Sequence, residues 1–282
     1  MDTITLAGPL EAKLRAIKDA GFTQVMLNAR EIVGHPKGDA QAIAAVKASG
    51  LRVTGFQVLR DFEGLSGHLH AYKVDVAKAM LAMCRALGST VLLACSSSSA
   101  HASGESEVLV KDLQKLATLA VPLGIKIAYE ALSWGRHVNQ AMQSWELVQE
   151  ADRANLGLCL DSFHILAHDT DLAVLEEIDV AKIFLVQLSD FLWQETRTPD
   201  ERIETARHYR VFPGEGVHTD QVYDMVRRLD KLGYRGDYSF EVFNDDYRQL
   251  PLSMVANRAR ESVKRITSVM ARRSLPRRPT AR

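Results

Sequence analysis

Cysteine is scarce in this sequence: Cys84, Cys95 and Cys159 are the only three, an odd number with no CxxC spacing. That excludes a disulfide framework and a cysteine-built zinc site, and makes a reducing cytoplasm the expected setting. Neither sign of charge is in surplus. The 282 residues carry 35 basic and 35 acidic side chains, whereas a general nucleic-acid binder needs a basic excess to displace counterions. No stretch approaches the roughly eighteen uninterrupted apolar residues of a membrane span. The opening MDTITLAGPLEAKLRAIKDAG has an acid at position 2 and no basic segment ahead of an apolar one, so no secretory leader is expected. The dinucleotide fingerprint GxGxxG is missing after the first apolar segment as well.

What is present is alternation. Short, largely apolar runs at Thr3–Leu6, Gln24–Asn28, Leu51–Gln57, Thr90–Cys95, Ile125–Glu130, Leu156–Asp161, Lys182–Leu188 and Gly236–Val242 read as strands. Helical stretches separate them, several closed by glycine (Gly21, Gly50, Gly88, Gly124, Gly233). Runs such as VLLAC and KIFLVQL are continuous rather than alternating, as in parallel strands covered on both faces. Eight strand–helix units predict an α/β fold, a single (β/α)8 TIM barrel over residues 1–270, with an open doubly wound sheet as the rival. Residues 189–219 form a long polar connection, and 271–282 read as a basic C-terminal tail.

In such a barrel the chemistry sits at the C-terminal ends of the strands. Four consecutive strands place an oxygen-bearing side chain there: Glu130 (IAYE), Asp161 (LCLD), Gln187 (FLVQL) and Glu241 (YSFE). One acid after a strand is ordinarily a cap or a surface turn. Grouped carboxylates repel unless a cation or protons offset them, and three carboxylates with an amide oxygen suit Mg²⁺ or Mn²⁺, with Zn²⁺ or Co²⁺ as alternatives. His164, three residues past Asp161 in DSFH, is a candidate general acid or base. The pair His164/His168 lacks the glutamate of an HExxH zinc helix. His68 and His70 read as surface-loop residues, and Cys159 as a strand-core side chain. Arg60, Arg136, His137, His208 and Arg210 are candidates for holding an anion.

The segments IAYEALSWGRHVN, LGLCLDSFHIL, KIFLVQLSD, RHYRVFPGEG and YSFEVFND, in that order, resemble bacterial 3-dehydroshikimate dehydratases of the xylose-isomerase-like barrel superfamily of sugar phosphate isomerases and epimerases. The resemblance implies a divalent metal at Glu130, Asp161, Gln187 and Glu241 and a catalytic His164 that removes a proton and then assists departure of hydroxide. It also implies substrate contacts from Arg60, His137, His208 and Arg210, and dehydration of 3-dehydroshikimate to protocatechuate. The second strand, QVMLNAREIVGHPKG, departs from the pattern, with Asn28 and Arg30 where relatives carry an acidic stretch. The rival is a sugar or keto-acid isomerase or epimerase using the same metal-bound enolate. An endonuclease of the superfamily would need more histidine ligands, and a sugar-binding module would not need an intact acidic set. The expected partner is a small-molecule substrate, with neither nucleic acid nor membrane; a homo-oligomer is compatible with the sequence.

The neutral total is composite. No acid follows Glu261, while seven basic residues do, so residues 1–261 carry a net charge of −7.

Overall fold

A computed structural model describes residues 1–271. Residues 272–282, which hold nearly all of the expected basic tail, lie outside the described residues. Seven parallel strands stand side by side in the order β1 (Gln24–Asn28), β2 (Arg52–Arg60), β3 (Val91–Cys95), β4 (Lys126–Glu130), β5 (Leu156–Asp161), β6 (Ile183–Leu188) and β9 (Tyr238–Phe240). The helices α1 (Leu10–Asp19), α3 (Asp39–Ser49), α4 (Gly67–Leu87), α5 (Ser106–Ala120), α6 (Ala141–Ala151), α9 (Thr219–Leu232) and α10 (Leu252–Ala271) are joined by two short ones, α2 (Ala29–Val33) and α7 (Ser162–Leu166). The long connection after β6 contains β7 (Asp190–Phe191), α8 (Pro199–His208) and β8 (Arg210–Val211), with β7 and β8 paired antiparallel.

The first expected strand, Thr3–Leu6, is not formed. Thr3–Thr5 is a 3₁₀ turn, because the Asp2 carboxylate caps it by accepting the Ile4 N–H at 2.9 Å. The gap between β1 and β9 is closed instead by residues 1 and 2. Asp2 forms a parallel bridge with Met26, its N–H donates to the Phe240 carbonyl at 3.1 Å, and the Met26 N–H donates to the Met1 carbonyl at 3.1 Å. The sheet is therefore a nearly closed barrel, with a two-residue bridge standing in for an eighth strand.

Two apolar layers hold it. The larger lies between strands and helices; the smaller fills the barrel interior with Met26, Val91, Leu93, Cys95, Ala128, Leu132, Cys159 and Leu185. Their burial, roughly 25 cal/mol per Å² of apolar surface, is the main source of stability. Among the described residues no helix is long and apolar enough to cross a membrane. Two further expectations are corrected. His68 and His70 belong to the first turn of α4, not to a loop. The polar segment 189–219 is not one loop, since Thr198 and Glu201 form a reciprocal capping box that starts α8.

Candidate active site

Side chains alternate between the two faces of a strand. Met26, Leu93, Ala128, Cys159 and Leu185 fill the barrel interior, so the inward residue two positions further along each strand caps that plug. Those residues are Asn28, Cys95, Glu130, Asp161 and Gln187, joined by Gln57 of β2 and by Glu241 just beyond β9. Strand register pairs Asn28 with Gln57, Cys95 with Glu130, and Asp161 with Gln187. One polar layer thus crowns an apolar plug, and all seven side chains are buried.

The layer is acidic, and its partners are few. Glu130 Oε2 accepts the Cys95 S–H at 2.8 Å, while Glu130 Oε1 is buried with no hydrogen-bond partner among the described residues. Burial, then the nearby Asp161 and Glu241, hold the Glu130 carboxyl well above its ordinary range. Gln187 Oε1 accepts the Cys159 S–H at 3.3 Å, and Gln187 Nε2 donates to Gln57 Oε1 at 3.4 Å. Gln57 in turn donates to Asp2 Oδ2 at 2.5 Å.

A single guanidinium penetrates this layer. Arg210, delivered by β8, donates to Asp161 Oδ2 at 2.7 Å and Glu241 Oε2 at 3.2 Å. Its Nε donates to the Ala206 carbonyl at 3.1 Å, and its charge lies 4.4 Å from the centre of the Phe163 ring. Burial alone would weaken the protonated form, but Asp161 and Glu241 outweigh it and raise the pKa further. Glu241 is itself raised, by burial acting against the pull of Arg210.

His164 hangs over the same group from α7. Its Nδ1 accepts the Ser133 N–H at 3.1 Å, with the Ser133 hydroxyl at 3.0 Å. Its Nε2 lies 3.4 Å from Arg210 Nη2, which can only donate, so both ring nitrogens face N–H donors and Nε2 presents a lone pair to the acidic group. Nε2 lies 3.8 Å from Asp161 Oδ2 and 4.0 Å from Glu130 Oε1. Burial first, then Arg210, His168 and Arg60, hold His164 well below its ordinary pKa and keep it neutral.

Glu130, Asp161 and His164 each offer a donor atom, and those atoms lie within 4.8 Å of one another. Three carboxylates face one penetrating guanidinium, and one carboxylate oxygen has no partner. This donor set fits a divalent cation. The trio differs from the expected four-oxygen set by including His164. Gln187 and Glu241 border it, through register with Asp161 and through the shared Arg210 respectively.

A cavity of about 700 Å³ opens above, with Glu130, Glu241 and His164 at its floor and Arg30, Arg60, Lys73, Arg207 and Arg210 among its walls. Arg60 and Arg210 therefore lie where the sequence anticipates. His137 and His208 do not. The His137 Nε2 is held by the Ala102 carbonyl at 2.9 Å on an exposed loop, and the His208 Nδ1 pairs with Asp245 Oδ2 at 2.8 Å. His168 is likewise turned away, onto the Ser133 carbonyl at 3.0 Å. Sequence reasoning passed over Ser133, Trp134, Lys73 and Arg207, for which no motif gives a signal. It also passed over Cys95, which ends its strand just as Glu130 does.

Beside the site, Glu63 gives a separate pH signature. Its Oε1 accepts the Ser97 N–H at 2.5 Å and the Tyr129 hydroxyl at 3.0 Å. Burial nevertheless pushes its carboxyl up from 4.5 to about 7. The unfolded chain ionises first, so the stabilisation is complete below pH 4.5 and is lost as pH rises through about 7. The loss amounts to about 3 kcal/mol. Glu63→Gln keeps the acceptor oxygen and should be the more stable form at pH 8. Urea denaturation at pH 5 and pH 8 checks this; an equal pH dependence in the two proteins rules Glu63 out as its source.

A family model described as a xylose isomerase-like TIM barrel matches residues 14–269. The chain belongs to the xylose isomerase-like TIM barrel family. Within this family it is 39% identical over 253 residues to the 3-dehydroshikimate dehydratase of Pseudomonas aeruginosa, covering 88% of this chain and 38% of that protein. It is 32% identical over 168 residues to the inosose isomerase of Halalkalibacterium halodurans, 56% of this chain and 54% of that one. A solved xylose isomerase-like TIM barrel/4-hydroxyphenylpyruvate dioxygenase fusion protein superposes with a TM-score of 0.88 at 33% identity, over 99% of this chain and 45% of the other. The chain spans less than half the length of the dehydratase and of the fusion protein.

Proposed function

We propose that this barrel catalyses the divalent-metal-dependent dehydration of 3-dehydroshikimate to protocatechuate. The observation that carries the reading is the composition of one cavity, in which a buried acidic floor with an unpartnered carboxylate oxygen faces arginine and lysine walls. Such a cavity suits a substrate with both a carboxylate and a metal-seeking ketone. The match to the Pseudomonas aeruginosa dehydratase supports it across most of this chain.

Glu130, Asp161, Gln187 and Glu241 would hold the cation, with His164 at their edge. When bound, a divalent ion supplies Lewis-acid stabilisation of the negative charge that develops on a ketone oxygen. The rest of the work falls to the chain. Arg60, and Arg210 once its carboxylate partners are otherwise engaged, bind the substrate carboxylate through paired N–H donors. Trp134 and Leu132 line the cavity beside His164 and limit water there. Ser133 fixes the imidazole so that Nε2 faces the acidic group; His164 would take the proton α to the ketone onto Nε2 and return it to the departing hydroxide, which leaves as water. Loss of water and tautomerisation then give the aromatic ring.

The inosose isomerase relative motivates the rival reading. Inosose is uncharged and makes no use of five basic wall residues. The test is to strip the protein of metal, add Mn²⁺ or Mg²⁺, supply 3-dehydroshikimate and follow the ultraviolet absorbance of protocatechuate. Metal-dependent product formation is expected. No product at any metal load removes the dehydratase reading, and conversion of inosose under the same conditions replaces it.

A further inference from the structure

Two of the three cysteines stand inside the barrel, and each is spent on a side chain of the acidic layer. Cys95 and Glu130 are register partners on β3 and β4, and the Cys95 S–H on Oε2 is the only hydrogen bond to the Glu130 side chain among the described residues. Cys159, two residues before Asp161 on β5, donates to Gln187 Oε1. Cys84 differs: it lies on α4 and directs its S–H at the Val91 carbonyl, 3.5 Å away.

We propose that Cys95 and Cys159 are positioning residues of the metal site, donating S–H to Glu130 and Gln187 so that their coordinating oxygens face the cation. The inference rests on the metal-dependent reading above. With Oε2 held by Cys95, Glu130 is left with Oε1 as its unpartnered atom, 4.0 Å from His164 Nε2. Gln187 must present its carbonyl and not its NH₂. A thiol donor on one side and the Gln57 carbonyl oxygen on the other select that orientation of the amide. The residue type fits the place. A thiol packs as a small apolar group within the plug formed by Met26, Leu93, Ala128 and Leu185, yet carries one donor. It also brings no charge to a layer already crowded with carboxylates.

Removing a group that orients a metal ligand usually costs 10–100-fold in metal affinity. Calorimetric titration of metal-stripped protein with Mn²⁺ reads this without reference to turnover. Cys95→Ala and Cys159→Ala should each weaken Mn²⁺ binding by about 10–100-fold. Cys95→Ser and Cys159→Ser, which restore a donor, should recover it, and Cys84→Ala should leave it unchanged. Thermal melts of the metal-free forms identify any variant that fails to fold, in which case the serine and alanine forms of the other cysteine carry the comparison. Unaltered affinity in the alanine variants, or serine variants as weak as alanine, overturns the positioning role. Failure of the unaltered protein to take up Mn²⁺ overturns the metal reading and this inference together, whereas Mn²⁺ uptake without dehydratase activity removes only the substrate assignment.

Discussion

Arg210→Met is expected to destabilise the metal-free protein by about 3–5 kcal/mol, because it strips a buried guanidinium from two buried carboxylates. The melting temperature should fall on the order of 10 °C. Methionine keeps much of the length and packing of the arginine stem against Phe163, so the loss reports charge more than volume. Asp161 and Glu241 have Arg210 as a common partner, at 2.7 and 3.2 Å, and without it they can be offset only by protons or by a cation. Two consequences separate this account from a packing defect. The deficit should shrink at pH 5, where protonation can replace the guanidinium. Added Mn²⁺ should raise the melting temperature of Arg210→Met more than that of the parent. A variant as stable as its parent at neutral pH in the presence of a chelator would show that the pair contributes nothing net.

His164→Ala should lower turnover by about 10²–10⁴-fold, the usual contribution of one positioned proton-transfer group. Its interpretation depends on metal affinity, since His164 lies among the donor atoms with Glu130 and Asp161. If Mn²⁺ still binds while turnover is lost, His164 acts on the substrate, as proposed. Joint loss of binding and turnover makes it a ligand instead. Ser133 offers an independent check, because it reaches the site only through His164 Nδ1. Ser133→Ala keeps the backbone N–H contact, so its effect on turnover should be far smaller.

The acidic layer is legible in sequence because each of its carboxylates closes an apolar run, and parallel strands of a barrel end at the chemistry. Glu130, Asp161 and Glu241 needed no more than that rule. Cys95 obeys the same rule, yet its apolar character hides it within VLLAC, and only the strand register shows that it faces Glu130. His137 and His208 fail for the opposite reason. A loop residue near a strand end carries no information about direction, and here one turns to the Ala102 carbonyl and the other to Asp245. The shortfall in the first strand is similar. TITL has strand propensity, but the Asp2 carboxylate rewards a turn over Thr3–Thr5 with a local hydrogen bond that no propensity scale weighs. The capping box Thr198-Pro-Asp-Glu201 was visible in the sequence, and the polar composition around it masked the helix it starts.

The two-residue spacing between the apolar plug and the polar layer has a consequence for descent. Substituting Asn28, Gln57, Cys95 or Gln187 changes what the mouth can do while leaving Met26, Leu93, Ala128, Cys159 and Leu185 to hold the strands together. A lineage can therefore exchange chemistries one strand end at a time without passing through an unfolded ancestor. A single residue inserted within a strand has to be absorbed as a bulge, as the register shifts in β2 and β6 are, or it turns a carboxylate into the helix layer and a leucine into the cavity. Divergence by substitution at the strand ends is the history this architecture permits most readily. It accords with a dehydratase and an isomerase both aligning to one frame.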